Sequence, residues 1–183
     1  MNGKNAMRVL IGVVVVGILL AVMISYRVRF TETAVLETLG RPGDTPVGAG
    51  LHFRWPWPIQ QVVKYDTRLQ HFEGVYDQLQ TADGNNVLIS VYVCWRLEDP
   101  LRFRKAVTTD LKDGEARVRE KVRDATQRVV GGYAMDAFAS QSEDAVKLAE
   151  MEQKILQRVQ PVASELYGID VSRVGIKRAS LPE

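Results

Sequence analysis

The chain has 183 residues, 46% of them hydrophobic and 25% charged, which suffices for one folded domain with an added segment and excludes wholesale disorder. The formal net charge is +2, but residues 1–31 contribute four basic and no acidic residues, so the remainder carries −2. A nearly neutral folded part argues against a nucleic-acid-binding domain, which would carry a basic surface. The single cysteine, Cys94, excludes an intramolecular disulfide and any site built from several cysteines.

The N-terminal segment predicts an uncleaved membrane anchor. Residues 9–24 include no polar side chain, and with Ser25 and Tyr26 they would form a helix of roughly 27 Å, close to the ~30 Å hydrocarbon thickness of a bilayer. The alternatives are a buried core helix and a cleaved signal peptide, but the following MISYRVRF offers no small-x-small cleavage site. The side chains expected inside the bilayer are those of Val9, Leu10, Val13, Val16, Leu19, Leu20, Val22 and Ile24.

The charges that flank this segment give a weak indication of its orientation. Lys4 and Arg8 precede the apolar residues, and Arg27 and Arg29 follow them. The positive charges on the two sides are nearly equal, so the positive-inside rule hardly distinguishes the two orientations. Counting the α-amino group, we expect the N-terminus to lie inside.

The first half of the remaining chain predicts strands joined by turns. A short strand is expected over residues 34–39 and a loosely alternating strand over 61–72, with a turn cluster at 40–44 and a hairpin turn at 81–86 that contains Asp83-Gly84. The clearest strand is residues 87–97, where strict alternation places one set of apolar side chains on one face. That face holds Val87, Ile89, Val91, Val93, Trp95 and Leu97, and Cys94 lies on the less apolar face.

The stretch GAGLHFRWPWPIQQVVKYDTR, residues 48–68, places two tryptophans on a stiff segment. Trp55 and Trp57 each precede a proline, and proline removes a backbone donor and fixes φ, so this stretch fits neither a helix interior nor a central strand. Its large apolar side chains either pack on the core or lie at a boundary between an apolar phase and water.

The second half predicts helices and a final strand. Asp99-Pro100 begins a short helix, and residues 115–130 form a second helix with an apolar stripe of Val118, Val122, Ala125 and Val129. Ser140 to Glu143 has the spacing of a capping box, and Pro161 predicts a kink or a division in the helix that follows. The side chains expected to be buried in that helix are Leu148, Met151, Ile155, Val159, Val162 and Leu166. Gly168 suits the helix end, and residues 169–179 return as a strand, so the fold class is α+β.

A search for catalytic or metal-binding patterns finds none. His52 and His71 have no cysteine or carboxylate at metal-ligand spacing, and no nucleophile elbow, Walker loop or dinucleotide fingerprint is present. We therefore expect no catalytic residue, no metal ligand and no cofactor.

The order of these features resembles the SPFH or band 7 family, which includes stomatin, prohibitin, flotillin and the bacterial HflK/HflC pair, and is most similar to the HflC branch. The resemblance covers the whole chain; Ala49 departs from it, because the family favours proline there. The residues that carry it are GLHF at 50–53 followed by the proline loop, Asp66-Thr67-Arg68, Asp99-Pro100, GIDV at 168–171 and Leu181-Pro182.

This resemblance implies a domain order and a position at the membrane. Residues 1–26 would be the tail and anchor, 27–97 a membrane-proximal β-rich subdomain, and 98–183 an α/β second subdomain, with mostly antiparallel sheet and packed helices. The first subdomain would lie against the bilayer of the bacterial inner membrane, with the SPFH domain periplasmic. The side chains expected at the membrane interface are those of Tyr26, Leu51, Phe53, Trp55 and Trp57.

The implied function is a non-enzymatic scaffold that organises a membrane microdomain and regulates a membrane AAA protease of the FtsH type, together with an HflK-like homologue. The long C-terminal helix that builds rings in HflK/HflC-like proteins has no counterpart before Glu183, so the protein is either naturally short or a fragment, and we expect homo- or hetero-oligomers only on co-assembly. One alternative is a small membrane-tethered adaptor that forms no ring. A membrane-bound hydrolase is a further alternative from a different functional class.

Overall fold

The computed structural model describes residues 3–107, 110–138 and 144–180. The predicted capping box at Ser140 to Glu143 lies outside these residues. The helices and strands, in chain order, are α1 (Gly3–Ile24), β1 (Ser25–Val28), β2 (Glu32–Thr38), β3 (Arg41–Pro42), β4 (Gly50–Phe53), β5 (Gln60–Asp66), β6 (Gln70–Glu73), β7 (Asp77–Gln80), β8 (Asn86–Leu97), α2 (Pro100–Ala106), α3 (Leu111–Val130), a short 3-10 helix (Met135–Phe138), α4 (Asp144–Tyr167) and β9 (Ile169–Ser180).

The chain divides into two compact units, Met1–Asp66 and Thr67–Glu183. The division falls inside the segment predicted as one strand over residues 61–72, which is instead two strands, β5 and β6, separated by residues 67–69. Strand β8 makes its contacts within the second unit. The boundary between the two SPFH subdomains, expected from the family resemblance at residues 97 and 98, stays a prediction.

In the first unit, two antiparallel sheets follow α1. β1 pairs with β4 in a two-stranded ribbon, and β2 lies between β3 and β5 in a three-stranded sheet. Ala34, Val35 and Tyr65 are fully buried on the three-stranded sheet, and Val63 is buried beside them. These β-branched and aromatic side chains suit a half-buried pleated surface, which explains why residues 32–38 and 60–66 form strands.

Helix α1 covers residues 9–24 of the predicted membrane anchor, and its apolar side chains are exposed, but Ser25 and Tyr26, predicted to extend the helix, belong to β1. The exposed side chains include those of Leu10, Val13, Val16, Leu19 and Val22, and Ile24 is half-buried at the helix end. The side chains of Val9 and Leu20 lie outside the described part of the chain. Among the residues that the structure describes, no helix combines the length and the apolarity that a membrane crossing requires.

In the second unit, β8 is the central strand. It pairs along nearly its whole length with β9 on one edge, and with β6 and then β7 on the other edge, always antiparallel. The predicted alternation is confirmed, because the six residues of the apolar face are all buried and Val93 and Trp95 are completely buried. The hairpin turn at Asp83-Gly84 is also confirmed, between β7 and β8.

Helix α2 begins where the sequence predicts, and α3 packs through the predicted face but begins earlier. The carboxylate of Asp99 accepts hydrogen bonds from the backbone N–H groups of Leu101 and Arg102, each 3.0 Å long, and so caps α2. Helix α3 begins earlier than predicted, at Leu111, because Asp110 caps it through the N–H of Lys112 at 3.0 Å. Its predicted apolar stripe is buried.

Helix α4 differs from its prediction in two respects. Leu166 is exposed and Leu148 and Val162 are only half-buried, whereas Ala163 is buried, because the stripe through Met151, Ile155 and Val159 continues in steps of four. A single helix also runs through Pro161, so of the two expected outcomes, a kink or a division, the division is wrong. Proline has no N–H group, so Pro161 cannot donate to the carbonyl of Gln157 one helical turn earlier. Both residues are exposed, and water can therefore donate to that carbonyl.

Gly168 ends α4 and joins it to β9 with φ +63°. Its N–H donates to the carbonyl of Ser164 at 3.0 Å, and its carbonyl accepts from the N–H groups of Glu98 and Asp99. A Cβ at this position would lie 2.5 Å from the backbone oxygen of Asp99. The positive φ and this close approach both require glycine.

We expect Gly168→Ala to destabilise the fold by more than Gly84→Ala. Gly84 also has a positive φ, +82°, but no atom lies within 4 Å of the Cβ that alanine would add. Gly84→Ala should therefore cost only backbone strain, about 1–2 kcal/mol, whereas Gly168→Ala adds a backbone clash. Thermal unfolding of the two variants, followed by circular dichroism in neutral detergent, measures the difference, and equal losses would contradict the argument.

Candidate functional site

An exposed apolar row is the most unusual surface feature of the first unit. Alternate residues from β4 into the proline loop are large and apolar, with 42% to 72% of their surface exposed, while the intervening His52 and Arg54 are half-buried. A strand that packs on a core buries its apolar side chains and exposes its polar ones, and here the exposures are the opposite. The large apolar side chains of this loop therefore do not cover the core of the sheet. The row consists of Leu51, Phe53, Trp55, Trp57 and Ile59.

The pairing of β1 with β4 determines which side chains lie beside this row. Arg27 is directly opposite Leu51, and Ser25 is opposite Phe53, so these four side chains share one face of the ribbon. Val28 is on the other face and is buried. An exposed cation therefore stands next to the start of the apolar row.

Tyr26 lies apart from the other side chains predicted at the membrane interface. It is opposite His52 on the face that includes Val28, it is half-buried, and its ring centroid lies 5.7 Å from that of His52. The Nε2 atom of His52 lies 2.9 Å from the carbonyl oxygen of Gly48. His52 is therefore engaged in holding the ribbon and the preceding loop together.

Hydrogen bonds hold the proline loop at the end of α1. The N–H of Arg54 donates to the carbonyl of Ile24 at 2.9 Å, and that of Trp55 donates to the side-chain oxygen of Gln60 at 2.8 Å. The N–H of Ile59 donates to the carbonyl of Pro56 at 3.1 Å. These donors are satisfied within the protein, which lowers the cost of bringing the loop into an apolar phase.

Sequence reasoning missed three exposed apolar side chains in the first unit, namely Ile59, Leu39 and Phe30. The period-two spacing of the row continues from Trp57 to Ile59, and this signal could have found it. Leu39 follows β2 and donates its N–H to the carbonyl of Ile59 at 2.9 Å. Phe30, 93% exposed, lies at the turn between β1 and β2, where no periodicity marks it.

The second unit has an apolar cavity of about 130 Å³ between β6, β7 and α3. The guanidinium of Arg119 lies 4.4 Å from the centroid of the Phe72 ring, and Arg123 forms an ion pair with Asp77 at 3.1 Å. These groups border a small apolar space, and the arrangement includes no nucleophile with an orienting base.

In the second unit, the titratable groups with shifted pKa values have hydrogen-bonded neighbours that explain the shifts. Lys177 and Glu73 lie 2.7 Å apart, and their hydrogen bond lowers the pKa of the Glu73 carboxyl and raises that of the Lys177 ammonium. Hydrogen bonds from the Thr81 hydroxyl and then from the Met135 N–H lower the pKa of Asp83. Such shifts arise in structural ion pairs and turns as well as in active sites.

The fold brings Cys94 and His71 together, which the sequence did not indicate. They are directly opposite across β6 and β8. Within the described part of the chain, no hydrogen bond joins them and no group of three or more potential ligands could hold a metal ion. A thiol-based site would need a hydrogen bond from nucleophile to base.

We expect the three tryptophans to differ sharply in their contribution to stability. Trp55 and Trp57 are 65% and 72% exposed, whereas Trp95 is completely buried. Trp95→Ala should cost about 3–5 kcal/mol, because it leaves a cavity, and Trp55→Ala or Trp57→Ala less than about 1 kcal/mol. Thermal unfolding by circular dichroism in neutral detergent checks this, and a large loss for Trp55→Ala would show that the loop packs on the core.

Comparison with known proteins agrees with this fold. The chain matches the SPFH domain / Band 7 family over residues 26–183. It is 32% identical over 92 residues to Protein HflC of Vibrio parahaemolyticus, 27% over 135 residues to Protein HflC of Haemophilus influenzae, and 23% over 167 residues to the Modulator of FtsH protease HflC of Escherichia coli.

These matches cover 50%, 73% and 73% of this chain and 28%, 44% and 50% of the three relatives, so the chain spans half or less of the length of the curated relatives it matches. The family match covers residues 26–183, which is most of the chain. The protein therefore belongs to the SPFH domain / Band 7 family and is HflC-like within it.

Proposed function

We infer that the protein is a membrane-attached SPFH scaffold that modulates a membrane protease of the FtsH type. The observation that carries this proposal is the match to a relative named Modulator of FtsH protease HflC. The role is non-enzymatic: the protein would organise a membrane microdomain and limit the access of the protease to its substrates. An HflK-like homologue is the proposed partner for oligomer formation.

Membrane attachment is proposed to use α1 and the exposed apolar row together. The support for α1 is the absence of polar side chains from residues 9–24 and the exposure of apolar side chains along the helix. The support for the row is its position, because the N–H of Arg54 bonds the carbonyl of Ile24 and so holds the loop at the C-terminal end of α1. The proposed location is the bacterial inner membrane, with the N-terminus cytoplasmic and the SPFH domain periplasmic.

The row offers a substantial free energy of membrane contact. At ~25 cal/mol per Å² and ~150–250 Å² of surface, each tryptophan would contribute up to roughly 4–6 kcal/mol if fully buried in the leaflet. Partial insertion realises a fraction of this value. Tryptophan also favours the headgroup region, where an aromatic ring meets both apolar and polar surroundings.

We predict that lipids with brominated acyl chains quench Trp55 and Trp57 and leave Trp95 unquenched. Variants that each retain one tryptophan, with phenylalanine at the other two positions, isolate each signal in nanodiscs. Trp95 is the matched control because it is completely buried in the second unit. Equal quenching of all three, or no quenching of Trp55 and Trp57, would contradict the membrane contact.

We also predict that the protein changes the rate at which an FtsH-type protease degrades a membrane substrate. The protein, the protease and an HflK-like homologue of the same organism are reconstituted together, and the degradation rate is compared with and without this chain. Cys94→Ala and His71→Ala should retain the effect, since no chemistry is assigned to either residue.

The mass of the complex extracted from the membrane then distinguishes the scaffold hypothesis from the hypothesis of an adaptor that forms no ring. A complex with one copy of this chain favours the adaptor, and a large closed particle favours the scaffold. Failure to associate with the protease would overturn the proposal, and loss of the effect in a well-folded Cys94→Ala variant would point to thiol chemistry.

A further inference from the structure

An open groove of about 690 Å³ lies beside the apolar row in the first unit. It is within the size range of sites that bind small molecules. Its charged lining residues are three cations and one acid, so the lining carries an excess of two positive charges. The cations are Arg27, Arg29 and Lys64, and the acid is Glu32.

The acid is turned toward one of the cations. The carboxylate of Glu32 lies 3.8 Å from the guanidinium of Arg29 and accepts from the backbone N–H of the same residue at 3.5 Å. The ammonium of Lys64 donates to the carbonyl of Arg27 at 2.6 Å, which places Lys64 at the strand that carries the Arg27 guanidinium. Lys64 and Arg27 are therefore held close together, and both are exposed.

Apolar side chains border the same groove. Leu51, directly opposite Arg27, and Phe30 both line it and are exposed. Phe53 follows on the face that Arg27 and Leu51 share. A soluble anion would satisfy the cations and leave these side chains in water, whereas an amphiphile with an anionic head and apolar chains would engage both.

The groove also lies where lipid headgroups would lie if α1 is embedded in a bilayer. β1 begins directly after Ile24, so at ~3.4 Å per residue Arg27 lies within roughly 10 Å of the helix end. Cations at this depth attract the anionic headgroups of a leaflet.

We propose that this groove binds the phosphate-bearing headgroup of an anionic phospholipid through Arg27 and Lys64, with its acyl chains against Leu51, Phe30 and Phe53. The site gives the protein a preference for anionic over zwitterionic lipid. This proposal rests on the proposed membrane contact and adds to it the charge of the lipid that is selected.

The test titrates the delipidated full chain in neutral detergent with equal amounts of phosphatidylglycerol and phosphatidylcholine of the same acyl chains. Native mass spectrometry counts each lipid retained per chain. One cation near a charged lipid surface changes the partition on the order of fivefold, so the wild-type protein should retain several-fold more phosphatidylglycerol. The double variant Arg27→Gln, Lys64→Gln should lose most of this preference.

A matched control removes two exposed cations from α3. The double variant Lys112→Gln, Arg117→Gln has the same net charge as the groove variant and should retain the preference of the wild-type protein. If the preference for phosphatidylglycerol fell equally in both variants, it would depend on the net charge of the protein and not on the groove, and the proposed site would be overturned. Displacement of phosphatidylglycerol by inorganic phosphate, at an ionic strength where chloride has no effect, would also overturn it in favour of a soluble anion.

The failure of this site is distinguishable from the failure of membrane contact. Retention of both lipids in equal amounts, together with quenching of Trp55 and Trp57 by brominated lipid, overturns the headgroup site and leaves the membrane contact standing. Absence of that quenching overturns the membrane contact itself, and the groove proposal with it.

Discussion

The antiparallel register between β1 and β4 is the constraint on which the candidate site depends. It places Arg27 opposite Leu51 and leaves Val28 buried on the other face. A slip of one residue would exchange the two faces, so the burial of Val28 selects the register that exposes Arg27, Leu51 and Phe53. Because β1 continues directly from α1, the same register fixes the apolar row relative to the helix end.

The second unit depends on a different constraint, the two-sided pairing of β8. Every residue of its apolar face is buried, and both of its edges are bonded to other strands. Helix α4 is joined to β9 through Gly168, whose backbone also bonds the start of α2. This unit therefore holds a conventional core. The first unit instead sets five exposed apolar side chains at every second position of one segment, and that row locates the candidate site in the first unit.

The chemistry of the described residues favours contact over catalysis. The groups with perturbed pKa values in the second unit are explained by neighbours in ion pairs and a turn; they are Glu73, Asp83, Glu150, Lys154 and Lys177. The first unit instead combines exposed aromatic side chains with cations around an open groove. Aromatic rings with adjacent cations are the side chains that proteins place at an interface between lipid and water.

The sequence by itself determined the α+β class, the buried face of β8, the N-cap of α2, the glycine that ends α4 and the apolar character of residues 9–24, because each of these follows from local periodicity, from capping preferences or from the φ preferences of proline and glycine. It also singled out Leu51, Phe53, Trp55 and Trp57, yet it left open whether they pack or are exposed. Only the tertiary structure decided that, since exposure depends on which elements cover a residue. The tertiary structure alone also divided residues 61–72 into two strands, shifted the stripe of α4 to Ala163, and brought Lys64 to Arg27 across 37 residues of sequence. Pairings between distant segments leave no mark in the local pattern, because the same alternation suits either face of a strand until a partner strand selects one.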